Sequence, residues 1–121
     1  RLVGSEMCIR DRNNPAYSYV ELDQDGIAVR TAEKQVISTH ATTGIYVWRR
    51  ADDFIRAAEQ MIADDIRHAG EFYVCPVYNQ NIAEGQRIGI YESVEHWPIG
   101  TPEDIKTFLS QYPDSFPNSS T

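Results

Sequence analysis

Residues 70–79 (GEFYVCPVYN) place a carboxylate, two tyrosines and an amide around a proline. Glu71 follows a glycine, and Pro76 suits the first turn of a helix because the N–H that proline lacks would be unpaired there. We therefore expect Glu71 to lie near the start of a helix. Two roles stay open for its carboxylate: it accepts hydrogen bonds from a hydroxyl-bearing ligand, or it caps the helix.

A second charged pair, Glu33 and Lys34, stands at the end of a predicted strand. Charged side chains at such positions commonly face solvent, so the pair is either a solvated turn or part of a binding site. The sequence contains no glycine-rich phosphate loop, no HxxxH metal pattern and no Gly-x-Ser-x-Gly elbow. Its three histidines are far apart along the chain. We therefore predict no catalytic residue and no metal ligand in this chain.

The composition is that of one ordinary domain: 121 residues, of which 41% are hydrophobic. The net charge is −7, and residues 13–121 contribute eight basic and sixteen acidic side chains. This balance argues against nucleic-acid binding, since nucleic acids are themselves densely negative. Cys8 and Cys75 show no disulfide or zinc spacing, which favours a reducing compartment. No apolar run approaches the ~18–20 residues that span a bilayer. We expect a cytoplasmic protein without a membrane partner.

The first half of the chain has the pattern of β-strands. Aromatic and polar residues alternate over residues 17–23 and 27–32, and an Asp-Gln-Asp-Gly loop between them predicts a hairpin. The run TTGIYVW, residues 42–48, is continuously β-branched and aromatic. Such a run predicts a central strand that is buried on both faces.

Two helices are predicted around the stretch 70–79. The first starts at the acidic residue Asp52, and its apolar residues recur on one face through Ile66. We expect Gly70 to end this helix. The second helix starts at Pro76 and runs for about two turns.

A strand over residues 86–92 and a third helix complete the pattern. Thr101 and Asp104 predict a capping box at the start of this helix, and Ile105 and Leu109 are expected to face inward. Because a hairpin is followed by helical crossovers, the predicted class is α/β with a mixed sheet.

Residues 1–12 are interpreted as a separate segment. They do not begin with methionine, they show neither helical nor strand periodicity, and they resemble the translated library-adapter junction at the ends of assembled environmental reads. We therefore predict a non-native tail over residues 1–12 that lies outside the fold, and a domain over residues 13–111. Residues 112–121, rich in proline and serine, are predicted to form a flexible tail.

Residues 17–110 resemble the C-terminal half of the sugar-phosphate nucleotidyltransferases, which join a nucleotide to a sugar 1-phosphate and release pyrophosphate. The resemblance rests on five segments in this order: SYVE with the Asp25-Gly26 turn, AEK at 32–34, ATTGIY at 41–46, GEFYVCPVYN at 70–79 and GTPED at 100–104. It implies a partial nucleotide-diphosphosugar transferase fold, Rossmann-like and GT-A-like with a mixed sheet, whose N-terminal nucleotide-binding half is missing here.

The resemblance implies substrate-binding roles for four residues. Lys34 matches a lysine that holds the acceptor phosphate, and Glu33 matches its partner, which accepts hydrogen bonds from sugar hydroxyls. Gly44 matches a position where the backbone approaches the sugar. Glu71 matches a glutamate that binds a hydroxyl of the same ring.

The implied function is coupling of a nucleoside triphosphate to a sugar 1-phosphate or related phosphate, for surface polysaccharide biosynthesis. Such enzymes use Mg²⁺, but Pro98 and Gly100 occupy positions where relatives carry a metal-binding aspartate. We therefore expect this chain alone to bind no metal and to be inactive. Two alternatives stay open. One is a self-standing, non-catalytic binding or dimerisation module, which predicts that residues 13–121 fold alone and bury residues 43–48 completely. A homodimer is an expected assembly under either reading. The other alternative is a glycosyltransferase of the same broad fold that uses the Asp-x-Asp motif at residues 23–25.

Overall fold

The computed structural model describes residues 5–111, which form a five-stranded sheet and three helices. The strands are β1 (Ser5–Asp11), β2 (Ser18–Leu22), β3 (Ala28–Glu33), β4 (His40–Val47) and β5 (Ile88–Glu92). The helices are α1 (Ala51–Ala63), α2 (Val77–Ala83) and α3 (Pro102–Gln111). No helix in this part of the chain is long and apolar enough to cross a membrane.

The strand order in the sheet is β3-β2-β4-β1-β5. Strands β1 and β5 are parallel, whereas the pairs β1–β4, β2–β3 and β2–β4 are antiparallel. The predicted hairpin is confirmed: one carboxylate oxygen of Asp23 accepts hydrogen bonds from the N–H groups of Asp25 (2.8 Å) and Ile27 (3.0 Å). The α/β class with a mixed sheet is also confirmed.

Strand β1 corrects the prediction that residues 1–12 have no strand pattern. It lies between β4 and β5, and its side chains alternate, with Met7 and Ile9 fully buried. Only two apolar residues, Met7 and Ile9, occupy the buried positions, and Cys8 between them is also apolar, so the sequence does not show a clear pattern of period two. The interpretation of residues 1–12 as non-native concerns their origin and stays a prediction. The predicted tail over residues 112–121 lies outside the described residues.

Strand β4 is central in the sheet, as predicted, but it is not buried on both faces. Ile45 is 59% exposed and Gly44 is also exposed. The cause is a β-bulge, because Tyr46 pairs with Met7 and Thr42 pairs with Ile9, which leaves three β4 residues opposite one β1 residue. The bulge turns this part of the strand out of the sheet. Complete burial of residues 43–48, which the binding-module alternative requires, is therefore not observed.

Helix α1 ends earlier than predicted, at Ala63. The N–H of Ile66 bonds to the carbonyl of Met61 (3.1 Å) and that of Asp65 to Ile62 (3.0 Å), which is the Schellman arrangement, with Asp65 at φ 52°. The prediction that Gly70 ends this helix is wrong, since the chain has already left it. The prediction that Ile66 faces the core is also wrong, because it lies beyond the helix and is exposed.

The core has two clusters of buried side chains that Trp48 joins. One lies on the sheet and includes Met7, Ile9, Val20, Tyr78 and Ile88. The other lies between α1 and α2 and consists of Ala57, Met61 and Val77. Helix α2 starts directly after Pro76, as predicted, and carries residues of both clusters. The segment before Pro76 is thereby held against the sheet.

Helix α3 starts as predicted but packs differently. The N–H of Thr101 donates to the Asp104 carboxylate (3.2 Å), and the N–H of Asp104 donates to the Thr101 hydroxyl (3.1 Å), which confirms the capping box. The prediction that Ile105 and Leu109 face inward is wrong, because these residues are 45% and 60% exposed. Helix α3 buries no residue within the described range. The apolar pattern predicts an amphipathic face but cannot say what covers it.

Candidate functional site

Three of the four predicted binding residues come together at one end of the β2–β3 hairpin. Glu33 is the last residue of β3. Lys34 follows it with φ 51°, and its N–H donates to the Tyr17 carbonyl (3.0 Å). A non-glycine residue in this conformation costs on the order of 1 kcal/mol, so the surrounding structure must hold it. The turn aims the Lys34 side chain at residues 71–73.

The side chains of Lys34, Tyr73 and Glu71 form a hydrogen-bonded line. The Lys34 amine donates to the Tyr73 hydroxyl (3.2 Å), and that hydroxyl donates to the Glu71 carboxylate (3.1 Å). The amine also lies 5.0 Å from the centre of the Tyr73 ring, which is within the range of a cation–π contact. The hydrogen bond to Tyr73, followed by the nearby charges of Glu33 and Glu71, raises the pKa of Lys34. Lys34 therefore presents a positive charge at neutral pH.

A two-residue turn places Glu71. The backbone groups of His68 and Glu71 exchange hydrogen bonds of 2.9 and 3.0 Å, and the two residues between them, Ala69 and Gly70, both have positive φ. This is the geometry of a type I′ turn, in which glycine is favoured. The helix-cap role for Glu71 is not observed, since α2 has no side-chain cap at Pro76. Its carboxylate instead faces Tyr73.

Glu33 is held on the other side of Lys34 by a polar network beneath the surface. The Ser18 hydroxyl donates to the Glu33 carboxylate. The Tyr46 hydroxyl lies near Ser18 and is 2.8 Å from the Thr42 hydroxyl. Burial is the main cause that raises the pKa of Tyr46. The network places polar groups of β2, β3 and β4 next to one another, and its Ser18 hydroxyl orients the Glu33 carboxylate.

Cys75 closes this network without being reactive. Burial raises the pKa of its thiol to about 11, although hydrogen bonds to Thr31, Tyr46 and Ser18 oppose the increase. A thiolate, not a thiol, is the nucleophile of cysteine chemistry. Cys75 therefore packs as a small apolar residue at neutral pH.

Gly44, the fourth predicted residue, lies in the bulge of β4 between Thr42 and Tyr46. Its φ is +89°, a conformation that favours glycine, and a Cβ at this position would meet nothing within 4 Å. Thr42 and Tyr46, two residues before and after Gly44, belong to the network under Glu33. The open backbone at Gly44 is compatible with close approach of a ligand, and its assigned role stays a prediction.

We name Glu33, Lys34, Glu71 and Tyr73 the acceptor cluster. It combines one cation with two carboxylates. The cation can hold an anionic group, and the carboxylates can accept hydrogen bonds from hydroxyl groups. Tyr73 was not among the predicted residues. Its signal was the spacing Glu71-x-Tyr73 in an extended segment, because residues two apart on such a segment point to the same side.

A cavity of about 1000 Å³ lies elsewhere, beside the start of α1, and includes none of the predicted binding residues. It is lined by Ser5, Glu6, Ile27, Arg49, Arg50, Asp53, Gln86, Arg87 and Gly89. Size alone would favour this cavity as the site. In the acceptor cluster, hydrogen bonds through Tyr73 fix the charged groups of Lys34 and Glu71 relative to one another. The acceptor cluster is therefore the better candidate.

Two aspartates from the motifs discussed above have local hydrogen-bond partners in the structure. Within residues 5–111 no three His, Cys, Asp or Glu residues group together as metal ligands would. The carboxylate of Asp104 accepts the hydrogen bond that caps α3. The carboxylate of Asp23 organises the hairpin loop. These bonds favour structural roles for Asp104 and Asp23.

Comparison with known proteins identifies the fold. No family model matches the sequence, and no curated protein matches it significantly. Among solved structures, a nucleoside-diphosphate-sugar pyrophosphorylase from Vibrio cholerae RC9 is similar with a TM-score of 0.79 and 25% identity, over 89% of this chain and 47% of that one. A protein from Bacillus anthracis, described as a glucose-1-phosphate thymidylyltransferase in complex with sucrose, has a TM-score of 0.65 and 17% identity. That similarity covers 92% of this chain and 44% of the other.

A third similar structure is CMP:2-keto-3-deoxy-manno-octonic acid synthetase in complex with CTP. Its TM-score is 0.55 at 12% identity, over 93% of this chain and 50% of that one. This chain thus spans about half the length of each of these proteins. The three are sugar nucleotidyltransferases by name, and the predicted fold class, a partial nucleotidyltransferase-like α/β fold, is confirmed.

Proposed function

We propose that this chain is the acceptor-binding part of a nucleotidyltransferase that couples a nucleoside triphosphate to a sugar 1-phosphate and releases pyrophosphate. The observation that carries the proposal is the acceptor cluster itself, in which an amine and two carboxylates meet on a fold shared with sugar nucleotidyltransferases. Activity of the whole protein, its cytoplasmic location and a role in polysaccharide biosynthesis are parts of this proposal.

The chemistry of the reaction explains the composition of the acceptor cluster. Both reactants carry phosphate and repel each other, so a positive charge is needed where the acceptor phosphate sits. Lys34 supplies that charge. The ring of a sugar phosphate presents several hydroxyl groups as donors, and Glu33 and Glu71 supply acceptors for them. In this assignment Gly44 is the position where the backbone lies against the sugar.

In our proposal the nucleotide and its Mg²⁺ bind outside the acceptor cluster. When bound, Mg²⁺ would neutralise the triphosphate charge. The metal and the nucleotide are held by a part of the enzyme that this chain does not contain. This chain alone is then inactive and keeps only the capacity to bind the acceptor.

The glycosyltransferase alternative depends on the Asp-x-Asp motif in the loop of the hairpin. One carboxylate oxygen of Asp23 is already bonded to two backbone N–H groups of the same loop. Those bonds are what a turn-forming aspartate makes. They favour a structural role for the motif, and with it the nucleotidyltransferase assignment.

The proposal is tested by acceptor binding to the 121-residue chain. The chain has two lysines, Lys34 and Lys106, and Lys106 is exposed on α3. We expect glucose 1-phosphate to bind, and Lys34→Ala to weaken binding about tenfold, because a charged hydrogen bond is lost. Lys106→Ala is the matched control and should leave binding unchanged. Isothermal titration calorimetry measures both. Equal loss in the two variants would show general charge attraction and contradict the assignment.

A further inference from the structure

We propose that Tyr73 is a positioning residue, whose hydroxyl holds the Lys34 amine and the Glu71 carboxylate at a fixed distance from each other. This distance selects acceptors in which a phosphate and a hydroxyl group are separated by a matching distance. This inference deepens the proposed function and rests on it. None of the roles implied for Glu33, Lys34, Gly44 and Glu71 requires Tyr73. The argument starts from the contacts of one phenol group.

The Tyr73 hydroxyl acts as acceptor and donor at once. It accepts from Lys34 at 3.2 Å and donates to Glu71 at 3.1 Å. Placed end to end, the two bonds separate the amine from the carboxylate oxygen by no more than about 6 Å. The spacing is therefore set by one oxygen atom between two charged groups that do not bond to each other directly.

Both charged partners keep capacity for a ligand. An ammonium group has three donors, and one of them is used by Tyr73. A carboxylate has about four acceptor positions, and one of Glu71's accepts from Tyr73. A phosphate can bind the remaining donors of Lys34 while a hydroxyl of the same molecule donates to Glu71. Tyr73 thus aligns the two groups without occupying them.

Tyr73 is also the least exposed member of the line. Lys34 and Glu71 are exposed, whereas Tyr73 is half-buried, and its ring meets the ring of His68 edge-on at 6.1 Å. Exposed Lys and Glu side chains lose rotamer freedom when they are fixed, which opposes binding. Because packing already restricts the Tyr73 ring, binding of the acceptor causes a smaller loss of side-chain entropy.

The test measures the titration of Lys34 by NMR in the 121-residue chain without ligand. With only two lysines, the Lys34 and Lys106 side-chain signals can be followed separately. In Tyr73→Phe the ring and its packing stay, and the hydroxyl is removed. We expect the pKa of Lys34 to fall, because the hydrogen bond to the phenol is lost, and the Lys106 signals to be the same in both proteins. Tyr91→Phe, at a tyrosine 62% exposed on β5, is the matched control and should change neither lysine.

A second measurement compares the affinities of glucose 1-phosphate and inorganic phosphate. We expect Tyr73→Phe to reduce the preference for glucose 1-phosphate about threefold to tenfold, because the hydroxyl-binding carboxylate is no longer aligned with the amine. Glu71→Gln, which leaves the phenol in place, should reduce the same preference. An unchanged Lys34 titration in Tyr73→Phe, or an unchanged preference, would overturn the positioning role.

The two proposals fail in distinguishable ways. If the unaltered chain does not bind glucose 1-phosphate but Tyr73→Phe still lowers the pKa of Lys34, the function is refuted and the Lys34–Tyr73–Glu71 alignment is supported. If glucose 1-phosphate binds but Tyr73→Phe leaves the pKa of Lys34 unchanged, the proposed function is supported and the positioning role is refuted.

Discussion

Two tyrosines five residues apart, Tyr73 and Tyr78, use their hydroxyl groups in different ways. Tyr78 is fully buried, accepts from the Val47 N–H (3.1 Å) and donates to the Glu6 carbonyl (2.9 Å). Its ring stacks on Trp48 with centroids 4.1 Å apart. Tyr73 is half-buried, and its hydroxyl bonds to a lysine amine and a carboxylate.

The difference separates a structural phenol from a ligand-site phenol. The partners of Tyr78 are backbone groups of two adjacent strands, so its hydroxyl satisfies polar groups that would otherwise be buried unpaired. The partners of Tyr73 are exposed charged side chains, which gain little stability from such bonds. A group whose bonds contribute little to folding but align opposite charges is better explained by binding. The three predictions below test this comparison.

The largest expected effect is on stability, at Tyr78. Replacing Tyr78 with alanine removes a buried ring stacked on Trp48 and leaves a cavity, which should lower the free energy of unfolding by about 3–5 kcal/mol. Tyr73→Ala should cost about 1 kcal/mol or less. Urea unfolding followed by tryptophan fluorescence compares the two variants. A similar decrease in the free energy of unfolding for both variants would contradict the distinction between a structural Tyr78 and a ligand-site Tyr73.

The next effect is on the pH dependence of stability. Burial raises the pKa of Cys75 from 9.0 to about 11 and also raises the pKa of Tyr78 above its usual value. Between pH 9 and 11 the unfolded chain loses these protons while the folded chain keeps them. Stability from these groups is therefore fully present below about pH 9 and falls as the pH rises, by on the order of 2 kcal/mol for Cys75.

Urea midpoints at pH 8 and pH 10.5 measure this loss. Cys75→Ala serves as the control, because without the thiol the decrease between the two pH values should be smaller. An equal urea midpoint at pH 8 and pH 10.5 would show that Cys75 and Tyr78 are not shielded from solvent in the folded chain.

The smallest expected effect is at Glu71. Because Glu71 is exposed, Glu71→Gln should change the free energy of unfolding by less than about 0.5 kcal/mol. Binding of glucose 1-phosphate should weaken about threefold to tenfold, since neutral hydrogen bonds are weaker than charged ones. Calorimetry of this variant beside Glu103→Gln, at an exposed carboxylate on α3, provides the control. If Glu103→Gln weakens the binding of glucose 1-phosphate equally, the acceptor does not bind specifically at Glu71.

Much of the fold could be predicted from local patterns. The hairpin loop, the start of α2 at Pro76 and the capping box of α3 depend on bonds within a few residues, so the sequence specifies them directly. The end of α1 is a local feature that was nevertheless predicted too late, whereas the other wrong predictions concern partners distant in sequence. Ile105 carries the right pattern for an inward face, but no local rule says what covers it. Strand β1 pairs with β4 and β5, a pairing that its short alternation could not reveal.

For the candidate site, the sequence supplied residue types and the resemblance supplied roles. Glu33, Lys34 and Glu71 were identified in this way, but their association with Tyr73 was not. Lys34 and Tyr73 are 39 residues apart in the chain, and only the pairing of β2 with β3 and the packing of α2 bring them within 3.2 Å.

By itself, the sequence determined where turns, helix starts and charged residues lie, including the carboxylate and the proline of residues 70–79. Only the tertiary structure decided what those residues face. It turned Glu71 away from the helix start and toward Tyr73, and it buried Tyr78 of the same stretch. The physical reason is that conformational preferences act over a few residues, whereas burial and charge alignment depend on groups that meet only when the whole sheet has formed.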